Sequence, residues 1–194
     1  MKTLRQRLYT AVLSGLLLTV SIPDARAAGA GIEWDILSQE VGDLYRAGQY
    51  PRAVVVAQKA LAVARQNAGP NHPDVATSLN NLAELYRAQG QYAQAEPLHK
   101  RSLAISEKAL GPDHPSVATS LNNLAALYDT QGQYAQAEPL YQRSLAIREK
   151  ALGPNHPDVA SSLENLAGLY RATQREAAAV KLEQRAARIR ALAR

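Results

Sequence analysis

The 194-residue chain has no cysteine and no phenylalanine, and only one tryptophan and one methionine. Without cysteine there is no disulfide framework, no thiolate metal site, no cysteine nucleophile and no lipid attached through an N-terminal cysteine. Its absence does not by itself fix the compartment. Also missing are a nucleophile elbow, a phosphate-cradling glycine loop and an H-E-x-x-H motif, so no pattern of acyl transfer, phosphoryl transfer or zinc hydrolysis is present. No enzymatic activity, cofactor or metal is expected. Long apolar runs are confined to the first residues, and nothing after them suffices to span a bilayer.

Those first residues have an organisation of their own. Lys2, Arg5 and Arg7 precede an apolar stretch from Leu8 to Ile22, and Ala25-Arg26-Ala27 follows. A charged start, an apolar core of about 15 residues and an A-x-A site have the form of a secretory signal peptide. A spanning helix needs about 20 apolar residues, which makes a retained anchor the weaker alternative. Cleavage is expected after Ala27, with Ala30 as a second usable site. The mature chain would then lie in the periplasm or outside the cell, with no membrane insertion. Its charge also changes. The full chain carries +5, but residues 1–27 hold Lys2, Arg5, Arg7 and Arg26 against Asp24 alone. The remainder sits near +2, which gives no support to nucleic-acid binding.

Beyond a short linker at 28–34, the chain repeats itself. Tyr86, Tyr128 and Tyr170 are 42 residues apart, as are His72, His114 and His156. Residues 74–115 match 116–157 at 34 of 42 positions. A looser copy follows from Asp158, and VGDLYRAGQYPRA from Val41 is an earlier copy with one residue deleted. Four units are expected at about 35–70, 73–112, 115–154 and 157–194. Each reads as two helices. Val75, Leu79, Leu82 and Tyr86 recur at spacings of three and four, as do Tyr92, Ala95, Leu98, Ser102-Leu103 and Ile105. Gly90 ends the first helix. Gly111 is expected to end the second in a left-handed conformation, with Pro112 barring continuation.

The recurrent segment GP[ND]HP is therefore punctuation between helices. Pro73 suits a first helical turn, Asp74 and Asp158 suit the positive end of the dipole, and Asn71, Asp113 and Asn155 are the expected caps. Equivalent positions in stacked units lie about 10 Å apart. Zinc needs three or four ligands about 2 Å away, so the three histidines are read as loop residues. Pro97 and Pro139 fall about one turn inside second helices and are expected to bend them.

At Leu82-Ala83-Glu84-Leu85-Tyr86, Gly90 and Ala95, and again at Leu124-Ala125, Tyr128, Gly132 and Ala137, the chain resembles the tetratricopeptide repeat (TPR). Its 42-residue period, with SLNNLA and LGPxHPxVA, resembles the kinesin light chain type. The resemblance covers roughly residues 35–193 and implies an all-α solenoid of four helix-turn-helix units in a right-handed superhelix. It departs from the usual pattern where leucine (Leu79, Leu121, Leu163) replaces the first-helix tryptophan, and where Gln174 and Glu176 replace the turn glycine and tyrosine.

Stacking of such units places the first helices on a concave inner wall. Candidate contacts there are Thr77, Asn80, Asn81, Glu84 and Arg87, then Thr119, Asn122, Asn123 and Asp129, then Glu164, Asn165 and Arg171. Asparagine both donates and accepts, so it can hold the backbone of an extended peptide, and the resemblance implies such a role for these asparagines. Asn81, Asn123 and Asn165 could instead bond neighbouring helices. Three of the eight differences between the two best copies fall on this wall, at Glu84/Ala126, Arg87/Asp129 and Ala88/Thr130. They reflect either a ligand or drift at solvent-facing sites. The expected partner is a protein or peptide, and so short a groove leaves room for a second contact such as self-association. The basic stretch from Arg171 to Arg194 reads as a solvated capping helix, with docking to an acidic partner or anionic lipid as the alternative.

Overall fold

The computed structural model describes residues 25–192 and, among side chains, those of residues 31–192. The leader up to residue 24 lies outside the described residues. What is described consists of eight α-helices and no strand. They are α1 (Ala25–Arg46), α2 (Tyr50–Ala68), α3 (Pro73–Ala88), α4 (Tyr92–Leu110), α5 (Pro115–Thr130), α6 (Tyr134–Leu152), α7 (Pro157–Ala172) and α8 (Glu176–Leu192). Each odd helix packs most closely on the even helix that follows it, giving four helical hairpins. We number them units one to four. Because α1 begins at Ala25, the stretch 28–34 is helical.

The punctuation works through different atoms from those expected. The N-caps of α3, α5 and α7 are His72, His114 and His156, not the residues Asn71, Asp113 and Asn155 just before them. The backbone N–H of Asp74 donates to His72 Nδ1 at 3.2 Å, that of Ser116 to His114 Nδ1 at 3.1 Å, and that of Asp158 to His156 Nδ1 at 3.2 Å. The reason is register. Proline occupies the first helical position, so the residue immediately before it is the cap, and a ring nitrogen two bonds from Cβ can accept as an Asp or Asn oxygen does. Each histidine is thereby committed to its own helix. Among the described residues no three His, Asp or Glu side chains gather as metal ligands would.

The stop signal also differs. Gly111 has φ 88° and ψ 158°, and Gly153 has φ 88° and ψ 155°. That is not the left-handed helical well but an extended conformation at positive φ, open essentially to glycine alone. It turns the chain out of α4 and α6 at once. The helices run through Pro97 and Pro139 without interruption.

The stack is one-dimensional. Each helix contacts its sequence neighbours, and α1 meets α3, α3 meets α5 and α5 meets α7. No two even helices approach in this way. First helices are therefore drawn together on one side while second helices splay on the other, which is what makes the odd-helix side concave. Leu79, Leu121 and Leu163, in the position the usual tryptophan would take, are 1%, 0% and 0% exposed. Burying one such side chain contributes roughly 1.5–3 kcal/mol. Ser102 Oγ donates to the Ala76 carbonyl and Ser144 Oγ to the Ala118 carbonyl, both at 2.7 Å. The end units have Ala60 and Ala186 in that place, so this side-chain tie is confined to the interior. On the outer side Arg143 pairs with Glu107 at 2.6 Å and Arg185 with Glu149 at 2.5 Å, linking successive second helices. Trp34 ties α1 to α3, donating from Nε1 to Ser78 Oγ at 2.8 Å.

Candidate functional site

The inner wall is built by residues that leave the apolar stripe of each first helix. At its N-terminal edge Thr77, Thr119 and Ser161 form a row of hydroxyls, each bonded to the carbonyl four residues back, that of Pro73, Pro115 or Pro157. Such bonds use the hydroxyl proton and leave oxygen lone pairs to the groove. Asn81 and Asn123 stand one turn further along, half-buried.

The remaining predicted residues are engaged within the protein, differently in each unit. In unit two Asn80 Oδ1 lies 2.7 Å from Nδ1 of His99, which is fully buried. The other ring nitrogen lies 3.3 Å from Glu84 Oε1 without an aligned hydrogen bond. Arg87 Nη2 donates to Glu84 Oε2 at 2.7 Å. Burial pushes the Glu84 carboxyl up, but His99 and Arg87 beside it outweigh burial and hold it below the usual carboxylate range. In unit three Tyr141 replaces His99 and reaches Asp129 Oδ2 at 3.5 Å. Ala126 replaces Glu84, and among the described residues no cation pairs with Asp129. Burial therefore raises the Asp129 pKa, and the Tyr141 hydrogen bond offsets that only in part. In unit four Arg171 grips Glu183 through two bonds of 2.7 Å and Glu176 through one of 2.6 Å. Glu164 is held by Arg190 at 2.6 and 2.7 Å.

One pair does join successive units. Asn165 Nδ2 donates to Asn122 Oδ1 at 2.8 Å, tying α7 to α5, and Asn122 Nδ2 is 3.5 Å from Asn123 Oδ1. For Asn165, bonding to a neighbouring helix is thus what the geometry displays. Apart from Asp129, the charges predicted for the wall are paired in place, so it presents hydroxyls and carboxamides more than net charge.

Two clefts open between first helices. One of about 300 Å³ lies between α1 and α3, lined by Val41, Tyr45, Arg46, Asn81 and Glu84. The other, of about 220 Å³, lies between α3 and α5, with Thr77, Asn80, Asn81, Ser106, Thr119 and Asn123 in its lining. His99, whose exchange for Tyr141 reads in the sequence as that of a packing or surface residue, is packed inside, whereas Ser106 is not singled out by the reading of the sequence. Both stand on second helices, yet both are among the eight differences between the two best copies, the one signal that pointed to them.

The C-terminal cations are largely spent. Arg175 forms two bonds to Glu138, at 2.8 and 2.9 Å, and lies 3.9 Å from the centre of the Tyr170 ring. Arg171, Arg185 and Arg190 are paired as above. Lys181 and Arg188 remain exposed.

Among curated proteins none matches the chain. Solved structures do. The crystal structure of BtubC (BKLC) from P. vanneervenii superposes with a TM-score of 0.72 at 28% identity, over 82% of this chain and 63% of that one. This chain thus spans less than two thirds of BtubC. A Podosopora anserina protein described as a kinesin light chain with nearly identical TPR-like repeats superposes at 0.70 with 30% identity, over 81% and 74% of the two chains. A point variant of the latter gives 0.69 at 28% identity, over 86% and 76%. The family model of the tetratricopeptide repeat matches residues 36–108, 74–150 and 127–191, overlapping as a register that advances along a continuous stack would. With helical hairpins packed in that same order, the chain belongs to the tetratricopeptide repeat family.

Proposed function

We propose that this chain is a non-enzymatic recognition module, exported from the cytoplasm, which holds an extended or helical segment of a partner protein along its inner wall. Tetratricopeptide repeats generally mediate protein–protein interaction, and proteins built from them are typically scaffolds without catalytic activity. The observation that carries the finer reading is the concave approach of α1, α3, α5 and α7. On that side Thr77, Asn81, Thr119 and Asn123 stand at the surface with hydrogen-bonding capacity to spare. A segment laid there would find donors and acceptors for its backbone whatever its side chains. Export rests on the form of residues 1–27 and puts the partner in the periplasm or outside the cell. No described helix is long and apolar enough to cross a membrane.

The alternative, an assembly subunit acting through its outer face and basic terminal helix, has less behind it. Arg143, Arg175, Arg185 and Arg190 already satisfy carboxylates of the same chain. Capture of partners from an envelope extract by the full chain distinguishes the two. Replacing Asn81, Thr119 and Asn123 together by alanine is expected to lower capture at least tenfold with helicity unchanged. Replacing Lys181 and Arg188 by alanine is expected to leave it intact. The reverse pattern would move the function to the outer face.

A further inference from the structure

The place between α5 and α7 that corresponds to the cleft between α3 and α5 is crossed by side chains, although the helices that form the two places are close copies. Two sequence differences account for this. Ser106 in α4 is replaced in α6 by Arg148, whose Nη1 reaches Ser162 Oγ at 2.7 Å and the Asp158 carbonyl at 3.2 Å. The arginine therefore occupies the equivalent space. The second difference is His99/Tyr141. His99 turns Asn80 into unit two, at 2.7 Å from its ring. Tyr141 bonds Asp129 instead, and Asn122, the copy of Asn80, is free to cross and meet Asn165 at 2.8 Å. One bond and one guanidinium close the later site. Neither exists at the earlier one.

What the open cleft offers is specific in kind. Ser106 is 3% exposed and Asn80 is 8% exposed, while Asn81, Thr119 and Asn123 face the opening. No charged side chain lines it. A carboxylate or ammonium entering would lose hydration with no counter-charge to meet it. A purely apolar group would leave the carboxamides and hydroxyls without partners. A neutral group that donates and accepts at once satisfies both conditions, and about 220 Å³ accommodates a side chain of that length. We propose that this cleft is a subsite for a single carboxamide side chain, glutamine or asparagine, of the segment bound along the inner wall, and that Ser106 and His99 keep it open. This rests on the recognition reading above and adds to it a register, since only one position of the bound segment would be so selected.

The test is titration of the ¹⁵N-labelled full chain with propionamide as the side-chain probe, against propionate and propylammonium, observed at the carboxamide resonances of Asn81 and Asn123. Saturable shifts with propionamide alone are expected. Ser106→Arg should abolish them with the circular dichroism spectrum unchanged. The pair Glu84→Ala/His99→Tyr, which installs the unit-three side chains at two of the three exchanged positions, should weaken them at least threefold through release of Asn80. Equal shifts with the charged probes, or shifts that survive Ser106→Arg in a folded chain, would overturn the subsite. Loss of partner capture with propionamide binding intact would instead count against the recognition reading and leave the subsite standing.

Discussion

Units two and three share 34 of 42 residues, and the positions that fill the core are among those they share. Val75 and Val117, Leu79 and Leu121, Leu85 and Leu127 are all at most 1% exposed. Against that common frame, three of the eight differences meet in one place. Glu84 and Arg87, both half-buried, form a polar set with the buried His99 and Asn80. Ala126, Asp129 and Tyr141 form its counterpart, in which the larger ring stands beside the smaller alanine. The exchange is compensated: a cation, an anion and an imidazole are traded for a phenol, a carboxyl and a methyl group. Divergence on this wall thus has a packing cause as well as any cause a ligand supplies. Its consequence reaches the surface, because the direction in which Asn80 or Asn122 turns depends on the ring beneath it.

If the frame is common, equal cuts should cost equally. Leu79→Ala and Leu121→Ala are each expected to destabilise by about 2–5 kcal/mol in urea denaturation, with similar values for the two. A large gap would show that the units are not equivalent in the stack. Gly111→Ala and Gly153→Ala should cost roughly 1–3 kcal/mol each, since alanine is strained at positive φ with extended ψ, again read from urea midpoints. The polar set is tested by a double-mutant cycle. Glu84→Ala and His99→Tyr should be less harmful together than their separate costs predict, with a coupling of about 1 kcal/mol or more. Additivity would mean that the two exchanges are independent.

Unit four supplies a third term of the comparison. Gln174 has φ 60° where Gly90 and Gly132 have 73° and 70°. Gln174→Gly is expected to stabilise the chain by about 1 kcal/mol by relieving that conformation, measured as a raised melting temperature.

The smallest effects concern acid, and units two and three should respond with opposite signs. The folded pKa of Glu84 is depressed, so its contribution is present above the carboxylate's unfolded value and is lost as pH falls through the folded one. The folded pKa of Asp129 is raised, so the folded state takes up its proton first and gains stability as pH falls through that value. Glu84→Ala should flatten the acid-side loss of stability. Asp129→Asn should raise stability at neutral pH and remove the opposing gain. Stability measured between about pH 3 and 7 reads both.

The hairpins, their order and the core were legible because periodicity and proline–glycine punctuation are local signals, repeated until chance is excluded. Legibility stopped where a residue's role depends on its neighbours in space. The cap passed from Asn71 to His72 because the position of Pro73 fixed which residue precedes the helix. The φ of Gly111 was foreseeable from its type, but its extended ψ was not. On the wall, Asn80 and Asn122 are the same letter in the same local sequence, yet one faces His99 and the other Asn165. No pattern along one helix could reveal that, because the cause lies on the second helix.

Position-resolved photo-crosslinking in intact cells tests the central claim most directly, with a photoreactive residue placed either at Thr119 on the inner wall or at Arg101 on the outer side. The account predicts a partner joined at Thr119 and none at Arg101. A partner joined at Arg101 alone would contradict it.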